Sequence, residues 1–214
     1  EPTEGNYRWD VVDRWVDDHI AYGKYVGIAF DTYGGIDSKE SYATPDWLFA
    51  KYPHLKVNCD GYIIPRYWHP DFLAEYEKFV SAVGARYDGD PRIEWVQVAA
   101  GLYGETQPAE NQFDSCLEAA GLTSDLWVET VNRIVDMYVN AFPRTTLFLQ
   151  YAPTFIRQSE RRRFTDYAAS RGVGLKHNGL RPDGGDGMII DNPDYSLFGA
   201  GQYDPMFKWW EKVP

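Results

Sequence analysis

Apolar residues recur along the chain in two patterns that take turns. One is a stripe with apolar positions three or four residues apart, the signature of a helix with one buried face; the other is a short unbroken apolar run, the signature of a buried strand. Trp9, Val12, Val16 and Ile20 form the first stripe and predict a helix from about residue 9 to residue 22, which Gly23 can stop. The run from Tyr25 to Phe30 predicts a strand. The clearest stripe comprises Phe72, Leu73, Tyr76, Phe79, Val80, Val83 and Tyr87; it opens at Pro70, which suits a first helical turn, and closes at Asp88-Gly89-Asp90-Pro91. His69, just before it, reads as a capping or loop residue. A strand is then expected from Ile93 to Ala100. A helix capped by Thr123 or Ser124 follows, with Trp127, Val131, Ile134, Val135, Tyr138 and Phe142 on one face. Further expectations are a strand from Thr145 to Ala152, a helix from Ile156 to Arg171, a strand from Val173 to His177 and a short helix from Pro205 to Lys212.

Strict alternation of helix and strand, with no tight hairpin signal between strands, predicts a parallel α/β sheet. Two architectures satisfy it: an open doubly wound sheet and a (β/α) barrel. Both put chemistry at the carboxyl ends of the strands. The two long loops, residues 31–69 and 101–121, each follow a strand, whereas the loops entering strands are short, as an active-site face requires. Four strands are clear, against eight in a full barrel.

Reading off the strand ends yields the candidate chemistry. The first strand delivers Asp31, the second Tyr103 and Glu105, the third Gln150, and the fourth His177 and Asn178; the long loop adds Trp47 and Trp68. Carboxylates, amides and flat aromatic faces together suit carbohydrate, whose hydroxyls need directional partners and whose C–H faces stack on rings. Glu105 is the sharpest candidate, because a carboxyl beside aromatic groups can serve as a general acid. The alternative is a solvated loop glutamate. Arg161-Arg162-Arg163 reads as a solvated helix face, and Asp183-Gly184-Gly185-Asp186-Gly187 as a turn lacking the full ligand pattern of a calcium loop.

Composition narrows the partners. The net charge of −11 over 214 residues argues against nucleic acid and anionic lipid, which need a basic footprint. No segment approaches the roughly 20 apolar residues of a membrane span. Glu1 to Gly5 is acidic and polar, unlike a secretory leader, although a leader can be removed. Cys59 and Cys116 match no zinc or redox spacing; a disulfide in an exported protein and two buried thiols both remain open. No cofactor and no metal is expected. Aromatic residues at 16% suit an exported, carbohydrate-handling protein.

The order of motifs resembles clan A glycoside hydrolases, and family 42 β-galactosidases in particular. Glu1-Pro2-Thr3-Glu4-Gly5-Asn6-Tyr7-Arg8-Trp9 is similar to the segment after their second barrel strand, and Pro45-Asp46-Trp47-Leu48 with Tyr52-Pro53 to their loop after strand three. His69 to Tyr87 resembles the next helix, and Asp90 to Val98 the entry to strand four. The resemblance implies an incomplete TIM-type barrel holding about strands three to six, with residues 1–214 as one partial catalytic domain. It gives Glu105 the role of acid/base. It implies a sugar held by Asp31, Tyr103, Gln150, His177 and Asn178, with Trp47 and Trp68 as platforms. Gly104 stands where the family has Asn before the acid/base. The family's nucleophile, a glutamate at strand seven, falls beyond Pro214, so the remaining barrel segments or a partner chain are expected to complete the site.

Overall fold

The computed structural model describes residues 2–36, 43–150, 154–157 and 159–176. The elements run α1 (Trp9–Ala21), β1 (Val26–Ile28), α2 (Asp46–Lys51), β2 (Lys56–Cys59), β3 (Tyr62–Pro65), α3 (Pro70–Tyr87), β4 (Ile93–Val98), α4 (Asp114–Ala119), α5 (Ser124–Ala141), β5 (Thr146–Gln150), α6 (Ser159–Ser170) and β6 (Gly174–Lys176). Strands β1, β4, β5 and β6 pair in parallel in that order. The helices form one layer in the matching order. Asp13 of α1 bonds Arg86 and Tyr87 at the end of α3, α3 packs on α5, and α5 packs on α6. A doubly wound sheet divides its crossover helices between two faces; here they share one. The fold is therefore an incomplete (β/α) barrel.

Strand periodicity explains the layering. Val26, Ile28, Val96, Val98, Leu147 and Leu149 are buried in the core beneath the helices. The alternate positions turn the other way, into what would be the barrel interior: Gly27, Trp95, Gln97, Phe148, Gln150, Gly174 and Lys176. Trp95 meets Phe148 edge-on at 5.9 Å, and the Lys176 Nζ lies 5.2 Å from the Trp95 ring centre. Trp95 lies flat across β1 only because residue 27 is glycine; a Cβ there would overlap the indole.

Both long helices start as their sequences require. Thr123 Oγ1 accepts from the Leu126 N–H at 3.2 Å, and the His69 ring accepts from the Asp71 N–H at 3.2 Å, so His69 is the N-cap of α3. The long loops depart from expectation. Residues 31–69 contain α2 and an antiparallel β2–β3 hairpin, turned by Asp60 (φ 54°) and Gly61 (φ 90°). An Asp-Gly pair between short apolar runs is a hairpin signal, and here it interrupts the expected strict alternation of helix and strand. A disulfide joins Cys59 of β2 to Cys116 of α4, tying the hairpin to the loop after β4. Arg161 corrects another expectation: it is buried, while Arg162 and Arg163 stay exposed. The predicted helix from Pro205 to Lys212 and the acidic turn at 183–187 lie outside the described residues.

Candidate active site at the carboxyl end of the sheet

Glu105 lies in a tight loop just past β4. Gly101 N–H donates to the Glu105 carbonyl at 2.8 Å, Glu105 N–H to Leu102 O at 2.8 Å, and Leu102 N–H to Gln107 O at 2.8 Å. Tyr103 and Gly104 adopt left-handed backbone with φ of 53° and 71°. For a tyrosine this costs about 1–2 kcal/mol, tolerated where the surroundings over-determine the loop. Those surroundings come from three strands. Gln97 of β4 donates from Nε2 to Gly104 O at 3.0 Å and accepts from Lys176 Nζ of β6 at 2.9 Å. From the β1 side, Tyr103 N–H donates to Tyr33 O at 3.0 Å, and Thr32 Oγ1 to Gly101 O at 2.8 Å. From below, Trp127 Nε1 donates to Thr106 O at 2.8 Å.

The side chain of Glu105 is half-buried, and Gln150, at the end of β5, donates from Nε2 to its Oε1. Gln150 is itself 2% exposed, so its amide is a fixed donor. The amide orients that carboxylate oxygen of Glu105. Tyr103, 43% exposed, stands at the same loop.

Asp31 and Trp47 line a separate cleft of about 970 Å³ between the N-terminal segment, the end of β1, α2 and α3, whose walls also include Tyr7, Trp9, Phe30 and Glu75. Asp31 is open to solvent on one side, yet desolvation raises its carboxyl above the ordinary range. The Trp47 indole nitrogen is buried without a hydrogen-bond partner among the described residues. Trp68 stands apart from this cleft at the approach to α3, with the Arg66 guanidinium 5.6 Å from its ring centre. His177 and Asn178 lie outside the described residues.

One residue that supports the Glu105 loop escapes a search of strand ends: Gln97 lies lower on β4 and bonds Gly104 O. A polar Gln97 between the buried Val96 and Val98 is the available signal, since a buried amide needs polar partners. A further group converges by the hairpin base. His54 Nε2 is 2.9 Å from Asp71 Oδ2, and His69 Nδ1 is 3.5 Å from the same oxygen.

No family model and no curated protein matches the sequence. Among solved structures, the chain is similar to a psychrophilic glycoside hydrolase family 10 endo-β-1,4-xylanase, with a TM-score of 0.51 at 14% identity over 100% of this chain. It is also similar to endo-glycoceramidase II from Rhodococcus sp. in its lactosyl-enzyme intermediate, with a TM-score of 0.47 at 16% identity over 99% of this chain. The first likeness is one of fold; the second, with a score below 0.5, adds no weight to it. The chain spans 59% of the length of each of these structures. The first likeness supports the incomplete (β/α) barrel read from the sheet.

Proposed function

We propose that residues 1–214 form one partial-barrel catalytic domain of a glycoside hydrolase acting on a β-linked sugar, in the manner of family 42 β-galactosidases. Glu105 protonates the departing glycosidic oxygen and later draws a proton from water. The reading is carried by one observation: a half-buried carboxylate past the second strand of a parallel barrel sheet, oriented by a buried amide from the next strand. Tyr103, His177 and Asn178 contact the sugar, Asp31 and Trp47 offer a further sugar-binding position in their own cleft on the β1 side, and Trp68 adds a platform. The second carboxyl comes from other barrel segments, in the same polypeptide or a partner chain. The Cys59–Cys116 bond supports residence in an oxidising compartment.

The test uses the protein in the chain length it has in its source organism, assayed on aryl β-galactoside, β-glucoside and β-xyloside. Hydrolysis is expected, fastest on the galactoside, with a loss of about 10²–10⁴-fold in Glu105→Gln at unchanged circular dichroism. A second reading, a carbohydrate-binding barrel without catalysis, has its own support: the inward positions of β4, β5 and β6 carry Trp95, Gln97, Phe148, Gln150 and Lys176, and no carboxylate. Sugar binding followed by tryptophan fluorescence, without hydrolysis, would select that reading. Neither binding nor hydrolysis would overturn both.

A further inference from the structure

We propose that His54, His69 and Asp71 form a binding site for a divalent transition-metal ion, zinc by preference, on the outer surface at the start of α3. Two of the four histidines in the chain meet at this point, although 15 positions separate them. The fold explains how. His54 lies two residues before β2 and His69 four residues after β3, so pairing of Lys56 with Pro65 closes the hairpin and draws its two flanks together. The Arg66 N–H donating to Leu55 O at 2.8 Å locks that base. The imidazole centroids then lie 4.5 Å apart, beside a single carboxylate.

The donor geometry fits a small tetrahedral ion. One ligand atom from each residue lies within 4.8 Å of the other two. Donors at about 2.0–2.2 Å from zinc stand roughly 3.3–3.5 Å from one another. His69 Nδ1 to Asp71 Oδ2 already measures 3.5 Å, and His54 Nε2 to the same oxygen 2.9 Å. An ion there replaces the proton shared between His54 and Asp71 and displaces the 3.2 Å bond from the Asp71 N–H, which water can then satisfy at the first turn of the helix. Two imidazoles and one carboxylate are a three-residue zinc set, leaving the fourth position to water. The set is partly exposed, so an ion can enter without opening the fold. The bound ion would clamp the hairpin base to α3.

The experiment titrates the untagged, chelator-treated protein with zinc chloride by calorimetry and follows the thermal midpoint in parallel. One equivalent is expected to bind and to raise the midpoint, because the ion binds the native arrangement alone. His54→Ala and Asp71→Asn should each weaken binding by about 10–100-fold. His69→Asn keeps an N-cap acceptor while removing the imidazole, so it should lose zinc and still fold. His19→Ala, on α1, should leave binding unchanged. No uptake, or uptake that His54→Ala and His69→Asn leave undiminished, would overturn the site and leave a hydrogen-bonded cluster only.

Discussion

The two faces of the parallel sheet are built to different rules. Beneath the helices, β1, β4 and β5 present Val26, Ile28, Val96, Val98, Leu147 and Leu149, each buried and each aliphatic. Toward the barrel interior the same strands and β6 present Gly27, Trp95, Gln97, Phe148, Gln150 and Lys176, which are half-buried or polar and tied by directional contacts. The first face supplies stability through area removed from water. The second spends little on burial and uses amides and an ammonium to hold a strained loop in place. One short strand thus serves both purposes, because its side-chain period is two.

The sharpest way to probe that contrast is to truncate neighbouring residues of one strand. Leu149→Ala should cost about 2–5 kcal/mol in urea unfolding, the loss of a buried side chain plus its cavity. Phe148→Ala removes a larger group from the half-buried face and should cost less than half as much. Equal costs would mean that the interior face is packed as tightly as the helical one.

At the start of α4, the protonation of one carboxyl is expected to affect stability. The Asp114 carboxyl is pushed up to about 6, first by burial and then by repulsion from Glu118 and Glu160. The native state therefore holds the proton more tightly than the unfolded chain. The stability from this group is full below its unfolded pKa near 4 and is lost as the pH rises through about 6. Asp114→Asn should accordingly exceed the parent by about 1–2 kcal/mol at pH 8 and match it near pH 3.5. Denaturant midpoints at the two pH values check this; a gain that is the same at both would mean that the carboxyl is not desolvated.

The smallest effect is expected at Tyr103. Glycine adopts its left-handed backbone freely, so Tyr103→Gly should raise stability by up to about 1 kcal/mol while weakening sugar binding. A fall in both would show that the ring, rather than the backbone, holds the loop.

Helices and strands of the barrel were legible because each has a single dominant period. The stripe from Phe72 to Tyr87 and the run from Ile93 to Val98 match their elements closely. The hairpin was overlooked because β2 and β3 are four residues each, too short to display a period, and because Asp60-Gly61 sits inside a segment rich in loop-forming residues. Arg161 was misjudged because a run of three arginines conceals which one turns inward. The position of Glu105 in a loop past a strand end was legible from the sequence. Its support by Gln97 and Lys176 was not, since the two are 79 residues apart and meet only through the order of the sheet.

The bond between Cys59 and Cys116 has a consequence for how such a barrel can change over time. It makes the hairpin and the loop after β4 a single inherited unit, although 57 positions separate the two cysteines. A relative that replaced either segment alone would be left with an unpaired thiol. Exchange of loops between such barrels, whether by recombination or by design, therefore has to move both segments together.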